Sequence, residues 1–138
     1  MKKILISGLV AGFAMLFVGA MVGFIFPMVF PSLQAEYSNP ALLRPFSDPT
    51  FLFVYLLQPF VAGILLSWIW SRVNGVIKAK TSFKKGLQFG LGYWLVITLG
   101  LMLAYASSPY SLLMVVSWGA SLLLQALCAG LVYAKMNR

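Results

Sequence analysis

Only two side chains in this sequence carry a carboxylate, Glu36 and Asp48, and both fall within residues 30–49. There is no histidine and a single cysteine, Cys128. A Cys/His metal site therefore has no ligand set, and thiol–disulfide chemistry has no second sulfur. Acid–base or nucleophilic catalysis needs an attacking group beside a positioned base. Glu36 and Asp48 on a loop are the only material for such a pair, so the sequence predicts a protein that is not an enzyme, with no cofactor and no metal.

The remaining polar chemistry is almost all neutral. Gln58 precedes Pro59, and a proline frees the carbonyl four residues back, here that of Tyr55. Broken helices build binding sites in transporters, although a proline kink can also be purely structural. Ser117, Trp118 and Ser121 fall at a depth comparable to Gln58. With Glu36, Tyr37, Arg44, Asp48 and Tyr55 they define a candidate outer-side pocket. The plainer reading makes Asp48 a helix cap, Glu36 and Arg44 a solvated ion pair, and the serines interhelical glue. Arg44→Ala is expected to perturb the outer loop, and Gln58→Leu to leave folding intact. Cys128, deep in an apolar run, reads as a small packing residue.

The elements that position these residues are long and apolar. The chain is 62% hydrophobic and 9% charged, against about 45–50% and about 25% in soluble domains. Four runs stand out, at about 4–26, 50–71, 86–106 and 110–134, separated by one long connection, residues 30–49. At 1.5 Å per residue even the third run reaches roughly 31 Å, the thickness of a bilayer core. No Asp, Glu, Lys, Arg or His lies inside any run, which disfavours a proton-coupled transporter. The fold class predicted is an all-α membrane protein: one domain, residues 1–138, a four-transmembrane-helix bundle.

Local signals mark the ends. Asp48-Pro49 reads as an N-cap and first-turn proline for the second run, and Ser108-Pro109 repeats that arrangement before the fourth. Thr81 or Ser82 caps the third. Asn39-Pro40 starts a single helical turn that Pro45 ends, and Pro27 bends the exit of the first run. Lys2 and Lys3 ahead of an apolar run, with Val18-Gly19-Ala20 beyond, resemble a secretory signal; the segment is read as a retained first span.

Nine of the ten basic residues fall at the N-terminus, between the second and third runs, or at the C-terminus. Basic residues accumulate in cytoplasmic loops, so both termini are expected in the cytoplasm. The net charge of +8 is spread through short connections, which fits an anionic membrane surface and not a nucleic-acid face. The expected location is the plasma (inner) membrane of a prokaryote, with the chain crossing several times.

Small residues set helix packing in lipid. Gly8, Gly12, Gly19 and Gly23 share one face of the first run, with two GxxxG spacings, and Gly86 and Gly90 begin a similar face on the third. These faces either hold the bundle together or make a homodimer, the first-run face being the better dimer candidate.

In length and span count the chain resembles the small multidrug transporters, but it lacks their acidic residue in the first span; in size it resembles the small fluoride channels, without a shared motif. The stretch Arg44-Pro45-Phe46-Ser47-Asp48-Pro49 and the Lys85-Gly86 entry to the third run resemble small four-span membrane proteins of bacteria and archaea that carry no assigned activity. That resemblance implies the fold and no function. The functional expectation is a non-enzymatic binding or scaffold protein engaging membrane lipids, a hydrophobic small molecule or a membrane-protein partner. The alternative is a small channel or transporter. A continuous polar path would favour permeation; a dry core with a lateral groove would favour binding.

Overall fold

The computed structural model describes residues 1–137, and helices are the only regular secondary structure among them. Helix α1 spans Lys2–Val29, α2 Pro31–Tyr37, α3 Pro49–Val73, α4 Ser82–Ser107 and α5 Leu112–Met136. The four long helices are long and apolar enough to cross a membrane.

The caps follow hydrogen-bonding chemistry. Asp48 accepts from the backbone N–H groups of Thr50 and Phe51, with Pro49 in the first turn of α3. Thr81 caps α4 by accepting from Lys84 N–H. The expected cap at Ser108 is corrected. Ser108 is extended at the end of α4, and Ser111 caps α5 by accepting from Met114 N–H. The short connection leaves Pro109 and Tyr110 outside both helices. Asn39 makes the expected turn, its carbonyl accepting from Leu42 and Leu43. Helix α2 was not anticipated: Pro31 opens it after an extended Phe30, and Leu33 becomes fully buried. Helices α1 and α3 continue through Pro27 and Pro59.

Helix α1 packs on α3 and α5, and α5 packs on α4. The backbones of α3 and α4 scarcely approach each other, so the arrangement runs α3–α1–α5–α4. Glycines permit the closest crossings. A Cβ at Gly8 would lie 2.6 Å from Ile64 Cα, and one at Gly12 2.7 Å from Phe60 Cα. Gly86 and Gly90 face the backbone of α5 at Gly130 and Ala126. The α1 face keeps its direction while its neighbour changes: Gly19 lies against Gln125 of α5, and Gly23 meets nothing.

One end of the molecule gathers the basic segments. There Ser7 and Ser67 share a 2.7 Å hydrogen bond, Asn137 donates to Ser7, and Ser82 donates to the Ala134 carbonyl. The core lies toward this basic end, built from Ala11, Met15, Leu66, Trp70, Ala129, Tyr133 and Ala134. Trp70, Phe89 and Tyr133 pack edge-on or tilted, which is where α3 meets α4. The Tyr133 hydroxyl donates to the Gly63 carbonyl at 2.8 Å, locking α5 to α3. The opposite end carries α2 and the α4–α5 connection.

Candidate functional site

The polar residues of the opposite end divide into separate groups. Helix α2 lays Glu36 against the start of α5. Its carboxylate accepts from Ser111 Oγ at 2.6 Å and from Ser111 N–H at 3.3 Å. An anion at a helix N-terminus faces the positive end of the backbone dipole, so this contact favours docking of α2. Two turns further along α5, Trp118 Nε1 donates to the Tyr37 hydroxyl at 3.0 Å, and Tyr110 packs edge-on against the same indole. Glu36, Tyr37 and Trp118 thus form a clasp between α2 and α5.

Arg44 takes no part in it. The expected Glu36–Arg44 pair is corrected: Arg44 lies 3.6 Å from Asp48 with its side chain 69% exposed, while Glu36 is engaged by Ser111. Phe46, Phe51 and Tyr55 cluster at the start of α3, with Phe46 edge-on to the other two rings.

Gln58 is exposed on the flank of α3, in a shallow hollow of about 290 Å³ bounded by Val54, Leu57, Val61, Ala62 and Leu65 of its own helix. No hydrogen bond joins it to Ser117, Trp118 or Ser121. Ser117 is buried and donates to the Met114 carbonyl. Ser121 accepts from Gln125 Nε2. Both serines serve α5 itself, and the nine candidate residues do not converge on one cavity.

A larger hollow than the one beside Gln58 lies between α4 and α5, in the half away from the basic end. It measures about 440 Å³ and opens sideways. Trp94, Thr98 and Met102 line one wall; Val116, Gly119 and Ala120 line the other. Two of its three polar side chains are engaged, while the hydroxyl of half-exposed Tyr105 makes no hydrogen bond among the described residues. Trp94 Nε1 donates to the Gly119 carbonyl at 2.8 Å, and the Thr98 hydroxyl donates to the Trp94 carbonyl. The groove can hold hydrocarbon by shape and dispersion, and the Tyr105 phenol is its one ionisable group. The sequence contained a faint sign of it. Gly119-Ala120 places two small residues in the outer half of the last helix, and a Cβ at Gly119 would reach only Leu101, at 3.6 Å.

No family model, curated protein or solved structure matches this chain.

Proposed function

We propose that this protein is a multi-pass integral membrane protein, with both termini cytoplasmic, that binds an apolar chain such as a lipid acyl tail in the α4–α5 groove and catalyses no reaction. The observation that carries the reading is the groove: about 440 Å³, lateral, lined mostly by apolar side chains, and with Trp94 and Thr98 already hydrogen-bonded. A permeation route would need polar groups along the bundle, whereas the buried polar side chains Ser7, Ser67 and Ser117 are few and hydrogen-bonded, and the core cluster is apolar around Ala11, Met15, Leu66 and Trp70. In lipid there is no hydrophobic drive to fill the groove, so retention depends on fit. The basic-loop bias supports the orientation, and a prokaryotic plasma membrane is proposed with it as the location.

Native mass spectrometry of protein released from mild detergent tests this. The wild-type chain is expected to retain one lipid or small apolar molecule in stoichiometric amount. Ala120→Phe, which fills the groove, should release it with little loss of thermal stability. Equal retention by both proteins would place the ligand elsewhere. Ion or solute flux in protein-containing liposomes, absent from empty ones, would replace the binding reading with the permeation one.

A further inference from the structure

The glycine faces of α1 and α4 are largely occupied within the chain, which directs attention to the flank of α3. Gln58 lies nine residues inside α3, roughly 14 Å along its axis from Pro49. Its amide makes no hydrogen bond among the described residues, and its surroundings are the exposed side chains of Val54, Leu57, Val61 and Leu65. On the reading that α3 crosses a membrane, this amide sits in hydrocarbon, where an unsatisfied polar group is strongly disfavoured. A glutamine side chain is too short to reach the headgroups from this depth, even allowing for α3 being longer than the hydrocarbon core is thick. Something else must bond it.

We propose that the Gln58 flank of α3 is a homodimer interface in which the Gln58 amides of two copies hydrogen-bond to each other across a two-fold axis along the membrane normal. Three observations favour a second copy over another occupant. A primary amide both donates and accepts, so it is its own complement. Two copies inserted in the same orientation place Gln58 at the same depth, and a two-fold interface brings residue i opposite itself. The flank also holds one polar residue amid apolar ones, which suits a partner presenting one matching amide and otherwise aliphatic surface. The hollow of about 290 Å³ around Gln58 leaves room for the facing side chains.

The test uses the full chain in carbonate-washed membranes, with Cys128→Ala as background. Val54→Cys, one turn from an intact Gln58 on the same flank, should give an oxidative cross-link at twice the chain mass, whereas Val96→Cys, exposed on α4, should not. In parallel, photobleaching of labelled protein in bilayers should show two steps for wild type and Gln58→Asn. Gln58→Leu should weaken association about tenfold. Val61→Trp, at an exposed position, should also break the dimer by bulk while leaving the helical spectrum unchanged. A wild-type monomer, a dimer indifferent to Gln58→Leu, or a cross-link only to a different protein would each overturn the proposal. Carbonate extraction separates the two levels: protein that washes out refutes the membrane reading, and protein that stays but runs as a monomer refutes only the dimer.

Discussion

Gly63 illustrates how single residues hold this structure. A Cβ there would run into the Gly8 carbonyl and lie 2.8 Å from the Gly12 nitrogen. Both obstacles are backbone of a packed helix and cannot rotate away. Gly63→Val is therefore expected to cost about 1–3 kcal/mol, read as a lowered unfolding temperature in detergent. Gly23→Val, where nothing lies within 4 Å, is the matched control and should have little effect. Similar losses in both variants would mean that valine itself, and not the crossing, is at fault. The α1 and α4 glycines were legible as a spacing, because small residues four apart mark a face whatever it packs against. The neighbour was not legible: Gly8 and Gly12 meet α3, and Gly19 meets Gln125 of α5, because the helices cross at an angle that no local pattern encodes.

Among the elements, α2 is the one whose position depends most on polar contacts. It has seven residues, too few to be stable alone, and is held by buried Leu33, the Glu36–Ser111 bonds and the Tyr37–Trp118 bond. Glu36→Ala removes the anion from the start of α5 and should loosen α2 without unfolding the long helices. Hydrogen exchange should rise across residues 31–48 while α1 and α5 stay protected. Arg44→Ala provides the comparison. Its pair with Asp48 is exposed, so the effect should stay below about 1 kcal/mol and leave exchange unchanged, contrary to what loop composition suggests. Exchange unchanged in both would show that Leu33 alone anchors the segment. The long helices could be read in advance because twenty apolar residues have few other options. Helix α2 and the α4–α5 groove could not, since both depend on which side chains meet across the chain. Pro31 reads equally well as a loop residue, and Gly119-Ala120 reads equally well as tight packing.

At the scale of the whole molecule the charge is divided by end. Eight described basic residues, Lys2, Lys3, Arg72, Lys78, Lys80, Lys84, Lys85 and Lys135, belong to the end where the termini and the α3–α4 connection meet. Both carboxylates and Arg44 belong to the other end. Lys84 and Lys85 even occupy the first turn of α4, where the helix dipole disfavours cations and no acid compensates. That placement is unfavourable for the isolated fold and is offset if the end faces an anionic lipid surface, each basic side chain there contributing about 1 kcal/mol. The orientation should therefore be single. In a Cys128→Ala background, Asn39→Cys should react with a membrane-impermeant thiol reagent on intact cells, and Lys80→Cys only after the membrane is opened. Neutralising Lys78, Lys80, Lys84 and Lys85 together should produce a mixed population in which both sites label partly from outside, because the remaining bias rests on the terminal segments. Full protection of Lys80→Cys in that variant would mean that the termini alone set the topology. Labelling of Lys80→Cys on intact cells in the parent background would invert the orientation proposed here.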